Sequence, residues 1–393
     1  MSQQTVSGTG DTAGGTDDAA GRAAGAPGSA LAAPAGGSGG MASVPGGAVV
    51  AAYYREVVGP LLGRELPGLR HAAARLGSGS DVLGLDDARS RDHDWGLRLT
   101  LLVDEADRAA LPAVRDVLAA GLPDSFAGLP ARLATTWDPV PGHRVDADTV
   151  GGFAASRLGV NPLAGLSTLD WLTLTGQSVL EVTAGPVYAD TTTELARLQQ
   201  ILAWYPPDVE RYVLACGWQR LVQRLPFVGR AADTGQPLQS VLLSAGLASD
   251  LLSLAFLLHR RWEPYEKWRE ALAAALPGAG RLLPLLQTAA TAPGWADREA
   301  ALAGAAELLA EVQRQRGLPV PDVMVTSFFD RPYRIVSEDL ATGLLAQITD
   351  PELASLPVRA GSVGQWADCA DVLAHPERRP ALAAAYRAWR GQG

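Results

Sequence analysis

The sequence is poor in cysteine and in positive charge. Its two cysteines, Cys216 and Cys369, are far apart and form no CxxC pair, which excludes a disulfide framework and a structural zinc site. The formal net charge of -9 argues against broad binding of nucleic acid, because such binding needs many Lys and Arg side chains that neutralise phosphates. A small-molecule partner is therefore favoured over a polynucleotide.

Long apolar runs are also missing. The N-terminus lacks a basic segment followed by an apolar stretch, and no window offers about 20 uninterrupted apolar residues. The nearest candidate, residues 241–258, contains Asp250 and several serines, and we expect it to be a buried helix. Together with the scarce cysteines, these absences predict a cytoplasmic protein that does not span a membrane.

The length and the composition predict two domains and a tail, since domains usually contain about 100 to 200 residues. Residues 1–47 consist mainly of Gly, Ala, Ser, Thr and Asp, which predicts a disordered low-complexity tail. Residues 48–190 mix helical and extended patterns. Residues 191–393 show mostly helical spacing, although the last 65 or so residues are mixed and are assigned to this domain only loosely.

The pattern in residues 48–190 predicts an α+β fold with a small mixed sheet and flanking helices, followed by a helical-bundle domain. A helix over residues 49–66 precedes a short strand in HAAARLG, a polar loop and a second strand in HDWGLRLTLLVDE. A helix over residues 106–120 leads to a third strand in GHRVDADTV. We expect one more short extended piece in LEVTAGPVYAD.

The polar loop and the second strand carry the candidate site. Gly79 and Ser80 offer a small residue, a hydroxyl and backbone N–H groups that can approach a phosphate, and we expect Asp81 to cap the turn. Eleven residues separate Ser80 from Asp92, which begins the sequence Asp-His-Asp. Because side chains alternate along a strand, Asp92 and Asp94 lie on one face.

Two carboxylates on one strand face can hold a divalent cation, here Mg²⁺ or Mn²⁺, together with the phosphates of an NTP. A third acid on a neighbouring strand would complete such a site or act as a general base. Asp146 is the first candidate, because it lies on the face of the third strand opposite to Val145. Glu181 and Asp148 are the alternatives, since both lie in segments that we expect to be extended.

Lys267 is the only lysine in the chain. In a sequence that otherwise uses arginine for its cationic side chains, a retained ammonium suggests a need for a compact cation, for example beside a β- or γ-phosphate. We therefore include Lys267 among the candidate nucleotide-binding residues.

The succession of strand, Gly-Ser, loop and Asp-x-Asp resembles the DNA polymerase β-like nucleotidyltransferase superfamily, particularly its small antibiotic-modifying members with an appended helical domain. A closer resemblance, over nearly the whole chain after residue 48, is to the bacterial domain of unknown function family 4037. The stretches that carry it are RLGSGSDVLGLDDARSRDHDWGLRL, LDWL, LEVTAGPVYAD, AWYPPDVERYVLACGWQR and EPYEKW. The resemblance supports the fold and the metal site more than a substrate.

These observations predict an enzyme that transfers an NMP, by default AMP from ATP, to a small-molecule acceptor and releases pyrophosphate. Two alternatives use the same site. The chain could bind a nucleotide without transfer chemistry, or it could use Mg-ATP for phosphoryl transfer or ligation. The sequence leaves the acceptor and the oligomeric state open.

Overall fold

The computed structural model describes residues 46–85, 95–135, 138–358, 360–367, 369, 372 and 375–390. The strands in chain order are β1 (Ala72–Ala74), β2 (Arg98–Val103), β3 (Ser125–Phe126), β4 (Leu129–Pro130), β5 (Arg132–Thr135), β6 (Asp138–Thr149), β7 (Val187–Asp190), β8 (Val325–Ser327) and β9 (Arg334–Val336). The α-helices are α1 (Gly46–Tyr53), α2 (Gly59–Glu65), α3 (Leu111–Gly121), α4 (Val150–Leu158), α5 (Thr168–Thr173), α6 (Gly176–Thr183), α7 (Glu194–Ile201), α8 (Pro207–Asp233), α9 (Pro237–Leu258), α10 (Arg269–Ala273), α11 (Ala279–Thr291), α12 (Trp295–Gln315), α13 (Asp339–Leu345), α14 (Pro351–Ala354) and α15 (Arg379–Trp389).

We predicted a tail over residues 1–47. Residues 1–45 lie outside the described residues, whereas residues 46 and 47 belong to α1. The predicted first helix is confirmed as α1 and α2, which a π-helical turn, Tyr54–Val58, joins. Pro60 at the start of α2 has no N–H to continue the regular ladder. The wider turn before it therefore accommodates the proline without breaking the helical segment.

Five strands form a mixed sheet in the order β5-β6-β2-β1-β7. Strand β2 pairs antiparallel with β1 and parallel with β6, and this confirms the three strands predicted around the candidate site. Strand β5, which the sequence did not indicate, adds to the outer edge of β6. The chain is therefore a mixed α and β structure, and β2 lies in the centre of its sheet.

The two faces of the sheet pack against different cores. Leu99 and Leu101 on β2 pack with α1, α2 and α3 in what we name the N-terminal core. Arg98, Thr100 and Leu102 lie on the opposite face, and only Leu102 belongs to the central core of helices α4 to α8. The polar side chains at the start of β2 therefore lie where the second face is not covered by apolar helices.

The segment from residue 180 to residue 190 corrects one expectation. Only Val187–Asp190 forms a strand, while Glu181 lies on α6, so our expectation of an extended Glu181 is wrong. The Thr175 side chain caps α6 by accepting the N–H of Ser178, and Val179 and Val182 are buried at helical spacing. This local helix signal overrides the β-branched content of the segment.

Helices α8 to α13 form most of the second half of the chain, as predicted, and share what we name the bundle core. Among the described helices, α9 has the length and apolarity of a membrane span. Its inner side, with Leu247 and Leu251, is buried against the bundle, whereas Leu238 and Leu242 near its start are 70% and 57% exposed. The expected buried helix over residues 241–258 is therefore confirmed on its inner side.

The central core joins the sheet to the last helices. It contains Leu102 of β2, Tyr212 of α8 and Tyr386 of α15, all fully buried. A core shared in this way crosses the domain boundary that we expect at residues 190 and 191, and that boundary stays a prediction. The shared core fixes the sheet, α8 and the last helix around the same space.

Candidate functional site

The loop after β1 contains two glycines with positive φ angles. Gly77 has a φ of 91° and Gly79 a φ of 130°, values that residues with a side chain rarely adopt. A Cβ atom at Gly79 would lie 2.5 Å from Arg75 Nη2 and even closer to Asp81 Oδ1. Position 79 therefore requires glycine for two reasons: its φ angle is unfavourable for other residues, and a Cβ atom would collide with Arg75 and Asp81.

A buried ion pair holds this loop. Arg75 Nε and Nη2 donate to the two Asp81 carboxylate oxygens at 2.7 and 2.8 Å, and the two side chains are only 1% and 3% exposed. Arg75 also donates to the carbonyls of Leu76 and Ser78, both at 2.7 Å. Arg98 on β2 donates to the same Ser78 carbonyl at 2.9 Å. Asp81 thus fixes the loop through Arg75, which is a different role from the turn cap that we expected.

Ser78 lines the large cavity described below, and Ser80 is not part of the described lining of that cavity. Ser80 begins a single 3-10 turn, and its carbonyl accepts the N–H of Leu85 at 3.0 Å. Within the described part of the chain, the backbone N–H groups of Ser78, Gly79 and Ser80 have no acceptor. Consecutive backbone N–H groups of this kind are a common way to bind a phosphate.

The predicted metal ligands Asp92 and Asp94 belong to residues 86–94, which lie outside the described residues. The described chain resumes at Trp95, and β2 begins at Arg98 between β1 and β6. Among the residues that the structure describes, no group of three His, Cys, Asp or Glu side chains is placed to hold a metal ion. The metal site therefore stays a prediction from the sequence.

The three candidates for the third acid differ in their surroundings. The Asp146 carboxylate is exposed, and no described side chain or backbone group bonds to it. Asp148 accepts the backbone N–H of Thr149 at 2.7 Å. Glu181 on α6 faces Arg157 at 3.7 Å. Of the three, Asp146 has the carboxylate that is most available to a ligand.

Asp146 lies beside a small cavity over the face of β2 and β6 that carries Arg98 and Thr100. The parallel register pairs Thr100 with Asp146 and Leu102 with Asp148, so that these side chains share one face of the sheet. The cavity has a volume of about 220 Å³. Its charged lining residues are Arg75, Arg98, Arg144, Arg157, Asp146 and Asp148.

A much larger cavity of about 910 Å³ begins at Ser78. A volume of this size is at the upper end of the range for small-molecule sites, about 300 to 1,000 Å³. Ser156 and Arg157 on α4 line both this cavity and the small one. Its charged lining residues are Arg157, Glu181, Arg220, Arg224, Asp250, Glu263, Glu266 and Arg269.

Arg157 lies at the junction of the two cavities and against the glycine loop. A Cβ atom at Gly77 would lie 3.3 Å from Arg157 Nη2, so the guanidinium is in contact with that part of the loop. Its Nε is buried without a hydrogen-bond partner among the described atoms, and its ion pair with Glu181 is long. Arg157 therefore keeps donors for a ligand next to Gly77.

The structure does not bring Lys267 into either cavity. Lys267 is exposed in a short 3-10 helix, Glu266–Trp268, and its Nζ lies 4.7 Å from the centre of the Trp268 ring. Its neighbours Tyr265, Glu266 and Arg269 do line the large cavity. The proposed phosphate contact of Lys267 thus stays a prediction, and it requires the side chain to turn away from Trp268.

The sequence alone did not indicate Arg75, Ser78 or Arg157 as site residues. Gly-Ser occurs twice in the loop, as Gly77-Ser78 and Gly79-Ser80, and the spacing to Asp92 did not distinguish the two. Arg157 has no local signal, because it reaches the site from a helix that follows the third strand.

A family model described as a domain of unknown function (DUF4037) matches residues 171–269 of the chain. This match supports the expected resemblance, over a shorter range than we expected. The matched residues supply α6, α8 and α9 to the large cavity, but they include neither the glycine loop nor Asp146. No curated protein and no solved structure matches the chain.

Proposed function

We propose that this chain is a metal-dependent nucleotidyltransferase that moves an NMP, by default AMP, from an NTP to a small-molecule acceptor and releases pyrophosphate. The observation that carries the proposal is the glycine loop, Gly77–Ser80, which a buried ion pair fixes at the edge of a cavity of about 910 Å³. The loop lies beside β2, which begins at Arg98, four residues after Asp94.

In this proposal Asp92 and Asp94 hold the divalent cation, and Asp146 is the third acid, with Glu181 and Asp148 as alternatives. The free Asp146 carboxylate beside β2 fits a hard cation such as Mg²⁺ or Mn²⁺, which prefers carboxylate oxygens and phosphate oxygens. When it is bound, such a cation neutralises charge on the reacting phosphate and on the leaving pyrophosphate.

The phosphates of the NTP would bind to the glycine loop. The N–H groups of Ser78, Gly79 and Ser80 provide neutral donors, and the Ser78 hydroxyl adds one more. Arg157 would supply positive charge from the other side of Gly77 through bidentate hydrogen bonds. Lys267 is part of the proposal only through the sequence argument.

The proposed reaction is an in-line displacement at the α-phosphorus. An acceptor hydroxyl or amine attacks as its proton passes to a carboxylate, for which Asp146 is the first candidate, and the bond to the β-phosphate oxygen breaks. The products are the nucleotidylated acceptor and pyrophosphate. The large cavity offers room for an acceptor beyond the space that a nucleotide needs.

The test measures pyrophosphate release from Mg-ATP in the presence of an acceptor mixture, with the adduct detected by mass spectrometry. We expect Asp92→Asn to abolish release with an unchanged melting temperature, and Asp87→Asn, in the same segment, to leave it intact. Undiminished turnover of Asp92→Asn would refute the role of Asp92.

The leaving group separates this proposal from its alternatives. Release of ADP would indicate phosphoryl transfer. Binding of Mg-ATP by calorimetry, without any product over a broad acceptor panel, would indicate a nucleotide-binding protein without transfer chemistry.

A further inference from the structure

The far wall of the large cavity contains two arginines that share one acid. Arg220 Nε and Nη2 lie 3.2 and 3.1 Å from Asp250 Oδ1, and Arg224 Nη1 lies 2.7 Å from Asp250 Oδ2. The arginine side chains are each 31% exposed, and that of Asp250 is 16% exposed. One carboxylate therefore balances only one of two guanidinium charges.

Both arginines keep unused donors. A guanidinium has five N–H groups, and Asp250 accepts one hydrogen bond from Arg220 Nε and one from Arg224 Nη1, while Arg220 Nη2 is in ion-pair contact with it. No other acceptor bonds to either side chain among the described residues. By contrast, Arg269 in the same cavity donates to Ser249 and Ser253 and is paired with Glu263. The free donors of this wall are thus concentrated at Arg220 and Arg224.

A glycine on the facing helix makes room for this pair. A Cβ atom at Gly246 of α9 would lie 2.8 Å from Arg224 Nη2, so the guanidinium lies against the helix backbone. Arg220 and Arg224 are four residues apart on α8 and lie on the same helix face. Two adjacent guanidiniums are thereby fixed toward the cavity.

The charge pattern of the cavity favours an anion over a cation. Of its acidic lining residues, Glu181 faces Arg157, Asp250 is shared by two arginines, and Glu263 is paired with Arg269. Burial raises the pKa of Glu263, against the opposing effect of Arg269. Glu266 is the remaining acid and is exposed. A cationic ligand would find one unpaired carboxylate in the described lining, that of Glu266 at the exposed surface.

We propose that Arg220 and Arg224 bind an oxyanion, a phosphate or a carboxylate, on the acceptor, so that the acceptor is an anionic small molecule. The identification of this anion as the acceptor rests on the proposed function, whereas the anion site itself does not. Planar guanidiniums bind phosphate and carboxylate groups bidentately, and two of them next to each other suit either oxyanion.

The test uses four sugars that differ in one group: glucose 6-phosphate, glucuronate, glucose and glucosamine. Their dissociation constants are measured by calorimetry with the full chain, without nucleotide or metal. We expect at least one of the two anionic sugars to bind roughly tenfold more tightly than glucose. Each charge-assisted hydrogen bond contributes a large part of the binding free energy that corresponds to a tenfold change in the dissociation constant. The tighter of the two identifies the oxyanion.

Variants locate the site. We expect Arg220→Gln and Arg224→Gln each to weaken binding of the anionic sugar roughly tenfold, and Arg224→Lys to weaken it less. Arg230→Gln is the matched control, since Arg230 is on the same helix but lies over Phe227 outside the cavity. Asp250→Asn keeps an acceptor oxygen and removes the competing charge, and we expect it to tighten binding, an effect that a merely structural role would not produce.

Preference for glucose or glucosamine, or equal anion affinity in wild type and both Gln variants, would overturn the inference. Melting curves identify a variant that has not folded, in which case Arg224→Lys and Asp250→Asn decide the question. Anion binding without any pyrophosphate release would refute the proposed function and leave the anion site. Pyrophosphate release with only neutral or cationic acceptors would support the proposed function and refute the inference that the acceptor is an anion.

Discussion

Replacing Gly79 by alanine tests the rigidity of the glycine loop, and Gly84 provides the control. Both glycines have positive φ angles, 130° and 69°. A Cβ atom at Gly84 meets no described atom within 4 Å, whereas one at Gly79 meets both partners of the buried ion pair. Both substitutions therefore strain the backbone, and Gly79→Ala alone adds a collision.

The expected magnitudes follow from these two effects. A left-handed alanine costs about 1 to 2 kcal/mol, which is the whole loss expected for Gly84→Ala. At Gly79 a strain of about 1 to 3 kcal/mol adds to the displacement of a pair whose rupture costs about 3 to 5 kcal/mol. We expect Gly79→Ala to lower the free energy of unfolding by about 4 kcal/mol or more.

The assay is thermal unfolding followed by circular dichroism. An unfolding entropy of about 2.1 cal/mol/K per residue, over a unit of about 350 residues, converts these losses into about 2 °C for Gly84→Ala and about 5 °C or more for Gly79→Ala. Pyrophosphate release is measured on the folded variants, and only Gly79→Ala should lose it. Equal melting temperatures for the two variants would refute the idea that the Arg75 and Asp81 pair holds the loop.

Three further predictions concern other residues. Burial raises the pKa of Glu210, but hydrogen bonds from Arg260 and Arg316 lower it by more, so it ends below its ordinary value. Wild type should therefore melt above Glu210→Gln at pH 7, and the gap should close as the pH falls below about 4.3 and through the folded pKa. A gap that does not narrow as the pH falls below about 4.3 would contradict this. Burial raises the pKa of Cys216 to about 12. At pH 8 iodoacetamide should therefore alkylate native protein once, at the exposed Cys369, and denatured protein twice, as measured by mass spectrometry. If Lys267 contacts a phosphate, Lys267→Ala should raise the KM for ATP roughly tenfold at constant kcat. A change in KM below about twofold would show that Lys267 does not contact the phosphate.

Local sequence patterns predicted those helices and strands whose apolar residues recur at the spacing of the element. The helix over residues 49–66, the strands around Ala73 and Leu101 and the third strand at Val145 all have apolar side chains at the spacing of the element that they form. The opposite orientation of Val145 and Asp146 follows from strand alternation, and it is confirmed because Val145 packs in the N-terminal core. Metal binding by Asp92 and Asp94 stays a prediction.

The contacts between distant segments could not be predicted in this way. Nothing near Arg75 in the sequence indicates that its guanidinium folds back onto Asp81 and the Ser78 carbonyl. The pair Arg220 and Asp250 joins two helices through packing that no single-residue pattern encodes. The expectation of an extended Glu181 was wrong for a different, local reason, because the helix cap at Thr175 outweighed the β-branched residues after it.

The central core has a consequence for the order of folding during synthesis. Tyr386 on α15 is fully buried and donates to the Gly361 carbonyl at 2.8 Å, and Arg379 on the same helix donates to the Ser178 hydroxyl at 3.1 Å. Gln365 and Trp366 form part of the wall of the large cavity. The sheet leaves the ribosome some two hundred residues before these partners do. The part of the cavity wall that Gln365, Trp366 and Pro376 supply therefore forms late in synthesis, and until then an emerging chain leaves the incomplete cleft exposed to chaperones.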